Sequence, residues 1–187
     1  MNSARPLAKP VLACLFAALI SAGAYIAIPL PGTPVPIVLQ NFFIFLAALV
    51  LEPAWALAAT LIYLALGALG LPVFSGGSGG LARFVGPTGG YLVAYPLAAL
   101  LAALVARLGA RRRWKDALAL VLAALLVYAL GVLWLRRALH ASWAKALAVG
   151  LLPFIPGDAL KIAAAVLIGR RLSDLVQDLS GDGESGV

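Results

Sequence analysis

The sequence predicts an all-α integral membrane protein with six transmembrane helices, and three observations carry that reading. Hydrophobic residues make up 64% of the 187 and charged residues only 11%, which leaves too little polar surface to solvate a compact soluble fold. No charged residue occurs over 10–51, 53–82, 84–106 or 117–135, and a helical span needs about 20 apolar residues. Each run is long enough to cross a bilayer, and the first is long enough to cross twice. The formal net charge of +7 gathers between the runs, at Arg107, Arg111, Arg112, Arg113 and Lys115, as juxtamembrane residues do. The basic balance is therefore topological and argues against a nucleic-acid partner.

The first span is placed at Pro10–Ile28. The opening MNSARPLAKP before an apolar stretch has the look of a signal peptide, but Pro29, Pro31, Pro34 and Pro36 stand where a small-residue cleavage site belongs, so a retained helix is expected. Small residues recur on it four apart, Ala13 with Ala17 and Ala18 with Ala22, a spacing that lets helices approach closely in lipid. That spacing serves either packing within the chain or docking of a partner; Ala13 and Ala17 are the candidate docking residues, and Cys14 reads as a small packing residue.

The second span is placed at Ile37–Leu51, the third at Ala54–Gly70, the fourth at Gly90–Leu108, the fifth at Asp116–Leu135 and the sixth at Leu147–Arg170. Three connections fall on one side: PLPGTPVP, the glycine-rich LPVFSGGSGGLARFVGPTGG, and RRALHASWAKA. The opposite side carries Arg5, Lys9, Arg107, Arg111, Arg112, Arg113, Lys115, Arg170 and Arg171, against Arg83, Arg136, Arg137 and Lys145 on the loop side. That asymmetry predicts cytoplasmic N- and C-termini in a multi-pass protein of the cytoplasmic membrane. Residues 1–172 form one membrane domain, and the acidic, Gly- and Ser-containing 173–187 is expected to be a flexible tail. One cysteine and one histidine, His140, exclude a disulfide framework and make a metal cluster unexpected; no cofactor is expected either.

The residues that point to chemistry lie on the loop side. Asp158 and Lys161 sit in the apolar run LLPFIPGDALKIAAAVLIG beside the breaker pair Pro156-Gly157. Ionisable groups at membrane depth cost about 2.5–3.5 kcal/mol each on insertion scales and usually mark a site. Pro153, Pro156 and Gly157 favour a fresh helix start near Asp158, whose carboxylate the free amides and dipole would stabilise. Three apart on a helix, the two side chains share a face, so they either close as a private ion pair or grip a polar ligand. Between Phe74 and Gly90 the glycines permit close backbone approach to a small ligand, and Arg83 is the only charge there, suited to a carboxylate. Gln40 and Asn41 open the second span, where one faces a cavity or caps the helix. Tyr91 offers a flat ring, while Trp134 and Trp143 read as membrane-belt residues. Gly76-Gly77-Ser78-Gly79 matches the short motif of intramembrane serine proteases, so a serine hydrolase with His140 or Lys161 as base is an alternative.

Three segments carry a resemblance: VPIVLQNFFIFLAALVLEP (35–53), GALGLPVFSGGSGGLARFVGPTGGYLVAYPLAA (67–99) and LLPFIPGDALKIAAAVLI (151–168), with GLPVF, GPTGGY and PGDxxK as the specific pieces. The chain resembles the BioY family, the biotin-specific substrate-capture (S) component of energy-coupling factor (ECF) transporters. The resemblance implies the six-helix S-component fold, outward loops closing over biotin, and a small-residue first helix docking on a transmembrane coupling subunit that engages two ATP-binding cassette (ABC) ATPases. It further implies biotin uptake without enzymatic chemistry or an ATPase of its own. On that reading Asp158 accepts from a ureido N–H, Lys161 donates to the ureido carbonyl or the carboxylate, and Arg83 takes the carboxylate. Gly79, Gly89 and Tyr91 line the pocket, together with Gln40. A solitary or self-associating biotin carrier is the alternative within the same class. The loop carrying Arg136, Arg137, His140 and Lys145 is more basic than the family leads one to expect.

Overall fold

The computed structural model describes residues 5–109 and 112–180, and the named elements there are helices apart from one short hairpin. The elements are α1 (Arg5–Tyr25), β1 (Ala27–Ile28), β2 (Ile37–Val38), α2 (Gln40–Val50), α3 (Pro53–Ala68), α4 (Ala82–Val85), α5 (Gly89–Ala106), α6 (Arg113–Ala138), α7 (Trp143–Gly150) and α8 (Ile155–Ser180). Among the described residues α1, α5 and α6 are long and apolar enough to cross a membrane, and α7 with α8, bent by 46° at their break, qualify together as a fourth span. The apolar α2 and α3 are shorter, 11 and 16 residues. At a rise of 1.5 Å per residue they reach about 16 and 24 Å, less than the roughly 30 Å hydrocarbon core.

Small residues let these helices pack closely. On α1 the stripe Ala13, Phe16, Ala17, Ile20 and Ala24 is buried, at the i, i+3, i+4, i+7 spacing of one helix face, and α1 packs on α2 and α3. This corrects the docking expectation. Ala13 and Ala17, 0% and 1% exposed, face the protein's own bundle, and the small residues left exposed on α1 are Cys14, Ala18 and Ala22. The alanine-rich α5 lies along α6, with Ala94, Ala98, Ala99, Ala102 and Ala103 all buried. At the centre α2, buried from Ile44 to Val50, touches α1, α3, α5 and α8.

Departures from the expected boundaries have local causes. The prolines between the first two spans hold the chain extended, and Gly32 at φ +80° turns it, so Ala27–Ile28 pairs antiparallel with Ile37–Val38. Helix α1 accordingly stops at Tyr25. The sixth span divides, as Pro153, Pro156 and Gly157 lead one to expect: Pro153 lacks an amide hydrogen and crowds the preceding turn, so α7 ends at Gly150 and α8 begins at Ile155, just before Asp158. Ser142 caps α7, its hydroxyl accepting from the Lys145 amide at 3.3 Å, so part of the expected loop is helix. Helix α8 continues through 173–180 with Ser173 fully buried, so the tail does not start at 173; residues 181–187, like Arg111, lie outside the described residues.

The two ends of the bundle are tied differently. At one end Arg107 donates to the carbonyls of Ala48 (3.2 Å), Ala103 (2.9 Å) and Leu51, satisfying the open C-terminus of α2. There too Arg170 of α8 pairs with the fully buried Asp116 of α6 at 2.7 Å. At the other end the three connections meet, as the sequence leads one to expect. Thr33 donates to the Val149 carbonyl at 2.8 Å, Tyr25 to that of Pro72, and the Trp134 indole to that of Gly86 at 2.9 Å.

Candidate functional site

Beneath those connections lies a cavity of about 50 Å³, built by four parts of the chain. The hairpin and α2 contribute Val35, Val38, Gln40 and Asn41; the glycine-rich segment contributes Phe74, Ser75 and Arg83; α5 and α6 contribute Tyr91, Leu92, Tyr95, Val127 and Tyr128; and Phe154, Asp158 and Lys161 close it. Pockets that bury drug-sized ligands hold about 300–1,000 Å³, so admitting one requires a wall to move.

Asp158 is the centre of the polar network. Its amide donates to the Phe154 carbonyl at 2.9 Å, which places it in the first turn of α8, where backbone N–H groups and the dipole stabilise a carboxylate. Lys161 reaches its Oδ1 at 2.7 Å, the Tyr128 hydroxyl donates to Oδ2 at 2.7 Å, and Asn41 Nδ2 stands at 3.4 Å from the same oxygen. The Asp158 and Lys161 side chains are 6% and 11% exposed. The ion pair is thus closed, as one of the two sequence readings has it, yet both members line the cavity, as the other requires. Three unsaturated features mark the place as more than a staple. Gln40 Nε2 and Asn41 Oδ1 are buried without a hydrogen-bond partner among the described residues, and Arg83, half-buried on α4, has no ion-pair partner there.

Of the residues singled out in the sequence, Gln40, Arg83, Tyr91, Asp158 and Lys161 come together around the cavity. Tyr91 does so with its ring only. Its hydroxyl donates to the Gly150 carbonyl at 2.7 Å, and its ring lies against Gly131, where a Cβ would meet it at 2.3 Å. Gly79 and Gly89 do not line the cavity. A Cβ on Gly79 would stand 2.3 Å from the Leu71 carbonyl oxygen and one on Gly89 1.9 Å from that of Phe84, so both let the segment fold tightly on itself. Phe74 anchors that segment, its ring seated against Gly67 and edge-on to Tyr63 and Phe84.

Sequence reasoning missed Tyr95, Tyr128 and Phe154. Tyr128 carried a signal: a hydroxyl in the middle of an uncharged run needs a buried partner. The serine-hydrolase reading fails on geometry. Ser78 Oγ donates to the Ser75 carbonyl at 2.9 Å inside a tight turn, Lys161 is held by Asp158, and His140 sits in the turn after α6. Among the described residues no three His, Cys, Asp or Glu side chains gather where a metal could be held.

Comparison with known proteins bears on the same residues. The model of the BioY family matches residues 1–178, a span that includes every residue lining the cavity. The chain belongs to the BioY family. Its BioY-family relatives include the probable biotin transporter BioY of Pyrococcus horikoshii, 45% identical over 86% of this chain and 93% of that one. The biotin transporter BioY of Thermotoga maritima is 44% identical over 88% and 95% of the two chains. Among solved structures, a crystal structure of the S-component for biotin from an ECF-type ABC transporter superposes with a TM-score of 0.86 at 30% identity, covering 93% of this chain and 95% of that one. The fold seen there is the fold of this chain, an S-component fold of apolar helices.

Proposed function

We propose that this chain captures biotin on the outer side of the cytoplasmic membrane and delivers it inward, as the substrate-binding subunit of an ECF-type transporter whose partners hydrolyse ATP. It is a transporter component and not an enzyme. The observation that carries the substrate is the charge balance of the cavity. Among the described residues its ionisable side chains besides tyrosines are Arg83, Lys161 and Asp158, so two cations face one carboxylate and the surplus positive charge matches one ligand carboxylate. Biotin supplies that carboxylate on an apolar chain, and its ureido ring offers paired donors and an acceptor to Asp158, Lys161, Gln40 and Asn41. The aromatic and aliphatic walls suit its thiophane ring and valeryl chain. In this reading Arg83 receives the carboxylate, and the ureido group takes over hydrogen bonds that now close the Asp158–Lys161 pair.

In this reading the wall that moves is the segment from Gly70 to Thr88: Phe74 on Gly67 and the Gly80 amide on the Gly67 carbonyl anchor its base, and its further ties to the bundle include the hydrogen bonds Tyr25 to Pro72 and Trp134 to Gly86. The six apolar segments cross the membrane with both termini in the cytoplasm, the short α2 and α3 being completed by the non-helical residues that flank them in the hairpin and the glycine-rich segment. The exposed small residues of α1, Cys14, Ala18 and Ala22, let a helix of the coupling subunit approach closely, and two ABC ATPases act through that subunit. Calorimetric titration of the purified protein tests the proposal: biotin is expected to bind one to one and far more tightly than lipoate. Equal affinity for lipoate, which shares the carboxylate and chain but lacks the ureido ring, would refute the assigned recognition.

A further inference from the structure

A second groove lies about 20 Å along α8 from Asp158, by the 1.5 Å rise per residue. It has a volume of about 430 Å³ and is lined by Arg113 at the start of α6 and by Leu167, Ile168, Arg171, Leu172 and Leu175 of α8. Its floor is apolar and open, with Leu167, Ile168 and Leu175 60%, 48% and 60% exposed. Its two arginines come from different helices. Among the described residues neither forms an ion pair: Asp116 is fully buried and engaged by Arg170, and Asp174, the next carboxylate along α8, pairs with neither. Helix α6 also starts without a side-chain cap at Arg112, so the positive end of its dipole adds to the field of Arg113.

We propose that this groove seats one anionic phospholipid, its acyl chain along Leu167, Ile168 and Leu172 and its phosphodiester between Arg113 and Arg171. The charge pattern selects this occupant. Guanidinium groups bind phosphate oxygens in bidentate fashion, and basic pockets between membrane helices on the cytoplasmic side hold anionic headgroups. An acyl chain covers the leucine floor as the surrounding bilayer covers the rest of the perimeter. The lipid joins α6 to α8 next to the Asp116–Arg170 pair and so reinforces the end of the bundle remote from the biotin cavity. The inference rests on the membrane placement of α6 and α8 and is independent of the transported substrate.

Native mass spectrometry of the delipidated protein in detergent tests it, with dioleoyl phosphatidylglycerol and dioleoyl phosphatidylcholine titrated separately. The expected result is one preferred phosphatidylglycerol per chain, weakened about fivefold by Arg113→Gln or by Arg171→Gln and about 25-fold by both, with phosphatidylcholine unaffected. Arg136→Gln at the other end of α6 leaves the preference intact. Biotin titration of the same double variant reports folding, and if the double variant fails to fold the two single variants carry the test. Equal affinity for the two lipids, or undiminished phosphatidylglycerol binding in the arginine variants, overturns the proposal. Unchanged lipid binding with loss of co-purifying coupling subunit also overturns it and assigns the groove to a protein.

Discussion

Removing Asp158 and Lys161 singly and together distinguishes a ligand site from an ion pair that only staples α8. Their side chains are 6% and 11% exposed, and Asp158 also accepts from Tyr128 at 2.7 Å. Taking one partner from a buried pair costs about 3–5 kcal/mol, because the other charge is stranded. Lys161→Met leaves the carboxylate its Tyr128 and Asn41 donors and should cost near the lower end, about 3 kcal/mol; Asp158→Asn strands the ammonium and should cost about 4 kcal/mol. At roughly 2–4 °C per kcal/mol, each single variant melts on the order of 6–16 °C lower. The double variant carries neither charge and should recover to within about 1 kcal/mol of the parent, since a buried pair is often replaceable by neutral groups. Binding behaves differently. Hydrogen bonds to charged groups are worth about 1.5–3 kcal/mol each, so loss of both lowers biotin affinity by more than about 100-fold even in the recovered double variant. Scanning fluorimetry gives the stabilities and isothermal calorimetry the affinities. A double variant that is stable and binds biotin within threefold of the parent would refute the site assignment and leave the pair a staple.

Arg83→Gln should weaken biotin about 10- to 100-fold while leaving biotinamide, whose carboxylate is neutralised, nearly unchanged; equal losses for both would move the carboxylate partner elsewhere. Tyr128→Phe removes one of two strong donors to Asp158 and should cost about 1–2 kcal/mol of biotin affinity by calorimetry, with unchanged affinity showing that the hydroxyl does not position the carboxylate. Ala18→Phe with Ala22→Phe should abolish co-purification with a coupling subunit at unaltered biotin affinity, whereas Ala13→Phe should lower the melting temperature by overpacking the α1 face that meets α2 and α3.

Much of the site could be read from residue types alone, because charge is expensive in an apolar chain. Asp158 and Lys161 stood out as charges inside an apolar run and Arg83 as the only charge of the glycine-rich segment, and the structure brings them to one cavity. The glycines misled for a physical reason. Composition shows that backbone can approach something closely, not what it approaches; at Gly79 and Gly89 it is neighbouring backbone. The α1 alanines illustrate the same limit, since two four-residue spacings one position apart point to adjacent faces, and only the packed bundle shows that the Ala13–Ala17 face is inward. Tyr128 lies 30 residues from its partner Asp158, a long-range pairing that no local pattern encodes. The break at 151–154 is legible in Pro153, Pro156 and Gly157, which favour a fresh helix near Asp158, whereas the strands 27–28 and 37–38 continue the uncharged composition of the flanking spans, so hydropathy runs over them.

Whether biotin occupies the cavity among Arg83, Tyr128, Asp158 and Lys161 is decided by a structure of the purified protein with biotin bound. The ureido ring is expected within hydrogen-bond reach of Asp158 and Lys161, the carboxylate on Arg83, and the Gly70–Thr88 segment displaced outward to widen the cavity. Biotin seated elsewhere, or in this cavity with the Asp158–Lys161 pair closed and neither residue touching the ligand, would contradict that placement.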